Sequence, residues 1–115
     1  MTLYAAIIYT HDVDWTAPEQ QAEMAEYGAF GQAAAAVMRG GAALYPTSTA
    51  TTVRVTGGKG GDVLSTDGPY VEGKEVLTGF FLLECADLDE AIALAAQIPG
   101  AWNGAVEIRP VMPMG

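Results

Sequence analysis

One loop near the middle of the chain combines a rigid turn with ionisable side chains, which a small-molecule site requires. Asp67-Gly68-Pro69 is a turn sequence, because Asp can bond nearby backbone, Gly can take positive φ and Pro fixes its own φ. We predict that Asp67 is a catalytic base or ligand anchor, and that Glu72 and Lys74 are ligand-binding residues. A turn cap for Asp67 and a surface pair for the other two explain the same residues.

The single histidine is the second catalytic candidate. His11 follows an apolar run and precedes Asp12 and Asp14. An imidazole beside carboxylates can accept and release protons near neutral pH, but a solvated loop histidine fits the same pattern. His and Asp are also metal ligands, yet three ligands within four residues of one loop rarely close a site. We therefore predict no metal and no bound cofactor.

Three further ligand-binding candidates lie on the first strand and the first helix. Glu23 falls inside the apolar stripe of the helix, where a carboxylate needs a partner or must reach solvent beyond the sheet edge. Either Arg54 or Arg109 could supply that partner. We expect Tyr9 and Tyr27 to line the space between the helix and the first strand. Their alternative role is core packing with the hydroxyls at the rim.

The elements that must position these residues alternate between strand and helix. Hydrophobic patterning predicts strands at 3–9, at 51–56, at 62–65, at 77–86 and at 106–110, with helices from about 16 to 36 and from 87. Residues 36–38 either close the first helix or begin the second strand before Gly40 and Gly41. Two crossover helices on one face of an antiparallel sheet predict a ferredoxin-like α+β fold with an inserted β-hairpin. At 115 residues, the chain forms one domain, residues 1–115.

The central strands are apolar on both faces. In the strand at 77–86, Phe80 and Leu82 point one way, while Leu83 and Cys85 point the other. Two helices can cover only one face of the sheet, so the second apolar face must meet another surface. A second copy of the same sheet is the simplest partner, and we predict a homodimer.

Composition excludes several functional classes. The net charge is −9 with only five basic residues, which argues against nucleic acid as a partner. No apolar run is long enough to span a bilayer and the first residues lack a basic segment, so we expect a cytoplasmic protein without a membrane partner. The lone Cys85 lies in an apolar strand, where we expect a small core residue.

Several segments together resemble one known family. Residues 66–75, followed by 77–84, resemble the signature of the YCII-related (YciI-like, DGPF-domain) family. Residues 50–55, 87–91 and 104–110 are similar to the same family in order and spacing. The resemblance covers nearly the whole chain. It implies a ferredoxin-like subunit that pairs into a dimeric α+β barrel.

The family resemblance also implies which residues form the site. The better-studied members imply a His–Asp pair with the His on the first helix. Here the corresponding stretch, residues 23–27, contains no His, so Glu23 or Tyr27 would have to replace it. Function in this branch of the family is largely unassigned. The fold resembles that of small-molecule lyases and oxygenases, and members are often associated with extracytoplasmic-function sigma factors.

Two hypotheses follow. In the first, the dimer is an enzyme, lyase- or oxygenase-like and independent of any cofactor, that acts on a small molecule in a cavity near Asp67. In the second, it is a non-catalytic binding or regulatory module linked to sigma-factor signalling. Fold similarity does not decide between them. The shortage of groups that titrate near neutral pH favours the second.

Overall fold

The computed structural model describes residues 1–114. The strands are β1 (Thr2–Thr10), β2 (Met38–Ala43), β3 (Thr51–Thr56), β4 (Asp62–Asp67), β5 (Val76–Cys85) and β6 (Ala105–Pro110), and the helices are α1 (Gln21–Ala33), α2 (Leu88–Ala95) and α3 (Gly100–Asn103). Four strands form an antiparallel sheet in the order β2–β5–β1–β6, and β3 and β4 form a separate hairpin. The predicted α+β class is confirmed, and this strand order is that of a ferredoxin-like sheet.

One face of the sheet is buried beneath the helices. Ala6 and Ile8 of β1 are at most 3% exposed, and Leu83 of β5 is 1% exposed. Phe30 of α1 completes this core with Ile98, which lies between α2 and α3. The alternation of β1 therefore has the predicted period of two.

The opposite face of the sheet is apolar at its centre and only half-buried. Ala5 pairs with Leu82 and Ile7 pairs with Phe80, so these four side chains share that face. The buried core lies entirely on the other side, with α1 and α2. We call this half-buried surface the open face.

The hairpin extends away from the sheet. Val53 and Val55 of β3 share one side of the hairpin with Val63 of β4, and they are 45–69% exposed. An isolated two-stranded hairpin is marginally stable in water, so its connections to the rest of the chain matter. Strand β4 is two residues longer than predicted and ends at Asp67.

The helices differ from the prediction at their ends. A single 3-10 turn at Pro18–Gln20 precedes α1, which ends at Ala33 rather than near residue 36. The short helix α3 was not predicted, because four residues carry too little periodicity to be recognised. Within residues 1–114, no helix has the length and apolar character needed to cross a membrane.

Candidate functional site

An apolar cavity of about 390 Å³ lies between α1 and the helix-covered face of the sheet. Its walls come from β1 and β5 (Ile8, Thr78, Gly79, Phe81), from β2 (Gly41, Ala42, Ala43), and from α1 with its preceding loop (Trp15, Met24, Tyr27, Gly28). None of these residues is charged. Burial of an unpaired charge is costly, so the cavity is suited to an uncharged guest.

Aromatic rings form one side of this apolar cavity. The rings of Trp15 and Tyr27 meet edge to face, with centroids 5.3 Å apart, and Tyr27 lies 6.3 Å from Phe81. The indole Nε1 of Trp15 is buried without a hydrogen-bond partner in residues 1–114, whereas the hydroxyl of Tyr27 lies beside the Gly100 backbone. Because buried polar groups are normally paired, the indole N–H of Trp15 indicates an absent partner.

The Tyr27 hydroxyl remains protonated at neutral pH. Burial is the main reason that its pKa rises to about 12, and the nearby Glu23 carboxylate raises it further, while the Gly100 backbone acts in the opposite direction. The phenol is therefore a neutral hydrogen-bonding group, and not a base, near pH 7.

A β-bulge brings a further polar group to the cavity wall. Ile8 pairs with Gly79 whereas Tyr9 pairs with Leu77, so Thr78 is an extra residue in β5. Thr78 is 4% exposed, and its hydroxyl donates to the Ile8 carbonyl at 3.5 Å. The bulge thus places a weakly bonded hydroxyl in an otherwise apolar wall.

A second, polar cleft of about 380 Å³ begins on the other side of the first helical turn. Its wall includes His11, Asp12, Glu23 and Asn103. The carboxylate of Glu23 accepts a hydrogen bond from the Asn103 side chain. Of the alternatives given for Glu23, an arginine partner is wrong, because α3, which was not predicted, supplies Asn103 instead.

Asp12 and Asp14, the two acids near His11 in the sequence, form hydrogen bonds with threonines. Asp14 accepts hydrogen bonds from the hydroxyl of Thr16 at 2.6 Å and from its N–H at 2.9 Å, and these bonds lower the pKa of Asp14. Asp12 accepts from the backbone N–H of Thr47 at 3.0 Å and also from its hydroxyl. His11 itself is exposed. Both acids therefore serve to hold loops in residues 1–114.

The signature loop, residues 66–75, lies apart from the apolar cavity. Asp67 is exposed, and its carboxylate accepts no hydrogen bond from residues 1–114. The turn is held by Gly68, whose N–H donates to the Ala50 carbonyl at 2.8 Å and whose φ is +105°. The expected cap by the Asp67 side chain is thus replaced by backbone bonds.

Glu72 and Lys74, the other candidates in the signature loop, also lie away from the apolar cavity. Glu72 borders a third cleft, of about 260 Å³, whose wall includes Asp12. Both Glu72 and Lys74 are exposed, and they form no pair with each other, since the ion pair found in residues 1–114 joins Arg39 to Glu84. Asp12 borders both the polar cleft and this third cleft, so it is the residue that connects His11 with the neighbourhood of the signature loop.

Tyr9 and Tyr27 lie on opposite sides of the sheet. Ile8 lines the apolar cavity, and the next residue, Tyr9, points to the open face because side chains alternate along a strand. The expectation that both tyrosines line one space is wrong for this reason. Tyr27 is the one predicted ligand-binding residue that lines the apolar cavity.

Several residues of the apolar cavity escaped sequence reasoning. Met24 and Gly28 were not among the candidates, although they lie three residues before and one residue after Tyr27, on the same side of the helix. That spacing could have added them to Tyr27. Trp15 carries no such signal, because it reaches the cavity from an irregular loop.

The strand order defines a ferredoxin-like α+β protein, with an apolar cavity between α1 and the sheet. The sequence model of the YCII-related domain matches residues 2–115, and the chain belongs to this family, as predicted. It is similar to an uncharacterized protein of Rhizobium meliloti (strain 1021), with 42% identity over 72 residues. The match covers 61% of this chain and 56% of that protein, so the chain spans little more than half the length of its relative.

Proposed function

We propose that the protein binds a small, uncharged, planar ring compound in the apolar cavity, without a cofactor. The observation that carries this proposal is a cavity of about 390 Å³ with no charged wall residue, beside a buried Trp15 indole N–H that has no hydrogen-bond partner among residues 1–114. Its size lies within the usual range for small-molecule sites. The ligand would stack against the aromatic wall and accept a hydrogen bond from Trp15.

The side chains of the cavity wall favour ligand binding without catalysis. Proton transfer needs a group that changes its charge near the working pH. Tyr27 is the one side chain of this wall that titrates, and with a pKa of about 12 it stays neutral. A binding or sensing module is therefore favoured over an acid–base catalyst at this site.

Tryptophan fluorescence tests the proposal directly. Trp102 is 59% exposed and bonded to the Ala96 carbonyl, away from the cavity, so Trp102→Phe leaves Trp15 as the only reporter. We expect coumarin, a planar uncharged carbonyl compound, to change Trp15 emission and to bind more tightly than naphthalene, which lacks an acceptor. Trp15→Phe, measured by calorimetry, should abolish that preference. Equal affinity for coumarin and naphthalene in the Trp102→Phe protein would contradict the hydrogen bond, and no binding of either would contradict the site.

We also propose that the open face forms a homodimer, as in a dimeric α+β barrel. An apolar sheet face with Ile7 beside Phe80 is better buried than left in contact with water. Ile7→Lys should therefore convert a dimer into a monomer in analytical ultracentrifugation. Ile92→Lys is the matched control, because Ile92 is 50% exposed on α2. A wild-type protein that sediments as a monomer at micromolar concentration would overturn this proposal.

An enzyme with a shared site is the second candidate function. Asp67 lies on the same side of the hairpin as Val53, Val55 and Val63, and this side is exposed in the single chain. A partner subunit covering these valines would bring Asp67 into an interface, where it could act as the base of a cofactor-independent lyase- or oxygenase-like reaction. A mass-spectrometric screen for turnover of ring compounds tests this role. Asp67→Asn should abolish turnover, whereas Asp62→Asn, on the opposite side of β4, should not.

The link to sigma-factor signalling stays a prediction of the family resemblance. If the protein is a regulatory module, an extracytoplasmic-function sigma factor of the host should co-purify with it. Ligand binding in the apolar cavity should then change the amount that is retained. The cytoplasmic location likewise stays a prediction, and fluorescence microscopy of a tagged chain would check it.

A further inference from the structure

Gly28 occupies a helix position that does not require glycine. It lies within α1, where glycine is less favourable than alanine because it loses more backbone freedom on folding. Its φ is not positive, and a Cβ added to it would meet no heavy atom within 4 Å outside its own helix backbone. Neither backbone conformation nor packing within residues 1–114 therefore accounts for the missing side chain.

The other glycines of the same cavity have a packing reason. A Cβ at Gly41 would lie 2.8 Å from the Phe80 carbonyl oxygen, and a Cβ at Gly79 would lie 2.8 Å from that of Ala42. Close approach of neighbouring strands thus requires glycine at both positions. Gly28, which borders the same cavity, faces open space instead.

We propose that Gly28 determines which ligand the apolar cavity accepts, because the ring of the ligand occupies the space that a side chain would fill. This inference rests on the proposed function and narrows it. The ligand would be a fused, flat ring system, broad enough to reach from the aromatic wall at Trp15 to the backbone of α1 at Gly28. Met24, one turn earlier on α1 and 41% exposed, would fold over the ring, since methionine adapts its shape to irregular surfaces.

Two glycine-to-alanine variants separate this role from helix stability. Gly31 lies in the same helix, and a Cβ added there would also meet no heavy atom within 4 Å, but Gly31 does not line the cavity. Both Gly28→Ala and Gly31→Ala should raise the melting temperature, by about 2–6 °C. Only Gly28→Ala should weaken binding of coumarin or indole, by about tenfold or more, because one methyl group in the space of a bound ligand changes affinity by that order. Gly31→Ala should leave affinity within about twofold of the wild type.

The outcomes distinguish the two claims. If coumarin and indole bind the wild type and Gly28→Ala with equal affinity, the role of Gly28 is overturned while the proposed function stands. If neither probe binds the wild type in calorimetry, the proposed function fails and this inference fails with it. A lower melting temperature for Gly28→Ala alone would show that glycine is required for packing, and would also overturn the inference.

Discussion

The helix-covered face of the sheet and the hairpin with the signature loop differ in almost every physical respect. Phe30 and Leu83, on the helix-covered face, are 2% and 1% exposed, whereas the apolar residues Val63 and Tyr70 of residues 51–75 are about 70% exposed. The first region holds an apolar cavity of about 390 Å³ with no charged residue in its wall. The second carries Asp67, Glu72 and Lys74 on an exposed surface.

The residues that make the family recognisable are therefore not the residues that form the apolar cavity. The signature loop is the most distinctive part of the sequence, yet the cleft that it borders has a volume of about 260 Å³, and Asp67 is not part of its wall. The apolar cavity is built from residues that attract no attention in the sequence, such as Ala42 and Gly28. A charged motif therefore indicates the family, while the volume available to a ligand depends on how ordinary side chains pack.

The largest expected effect is on the free energy of unfolding when a leucine is removed from each region. Leu83→Ala should lower the free energy of unfolding by about 2–5 kcal/mol, because it leaves a cavity in the core. Leu64→Ala on the hairpin, where Leu64 is 51% exposed, should cost less than about 0.5 kcal/mol. Urea denaturation measures both values. Similar costs would show that the hairpin is packed against a partner.

The next prediction concerns the free energy of unfolding at alkaline pH, which depends on the burial of Tyr27 at the cavity wall. Because the pKa of Tyr27 rises from 10.0 to about 12 in the folded state, the unfolded state loses its proton first as the pH increases. The contribution of Tyr27 is complete below pH 10 and is lost between about pH 10 and 12, with a loss of about 2 kcal/mol. Tyr27→Phe should lack this loss when urea denaturation is compared at pH 9 and at about pH 12. An identical decline in wild type and variant would contradict the burial of the hydroxyl.

The signature loop has one position at which the backbone itself constrains the residue. Gly68 has φ +105°, a conformation that residues with a Cβ rarely adopt. Gly68→Ala should therefore destabilise the protein by about 1 kcal/mol, measured by denaturation. Amide hydrogen exchange of the hairpin should increase in the same variant. Unchanged exchange at Thr52, whose hydroxyl donates to the Gly68 carbonyl, would argue against this role of the turn.

The smallest expected effect concerns the most recognisable acid. Asp67→Ala should change the free energy of unfolding by less than about 0.5 kcal/mol, since its carboxylate accepts no hydrogen bond from residues 1–114. Asp87→Ala is the matched control. Asp87 caps α2 by accepting from the Glu90 N–H at 2.9 Å, and its loss should cost about 1 kcal/mol in the same denaturation assay. A larger cost at Asp67 than at Asp87 would reveal a partner for Asp67 in the assembled protein.

The sequence by itself determined the fold class and the family. Strands with a period of two, such as β1 with buried Ala6 and Ile8, are encoded locally, because alternation follows from the strand backbone alone. The predicted start of the second helix at residue 87 is equally local, because Asp87 caps α2 by accepting from the Glu90 N–H three residues further on. The apolar composition of both sheet faces was readable for the same reason.

The tertiary structure decided the site. Glu23 meets Asn103 across 80 residues of chain, and Thr78 enters the cavity wall only because a bulge shifts the register of β5 against β1. Tyr9 and Tyr27 were separated by the sheet that lies between them. Such contacts depend on how distant segments pack, and local residue patterns carry no record of that packing.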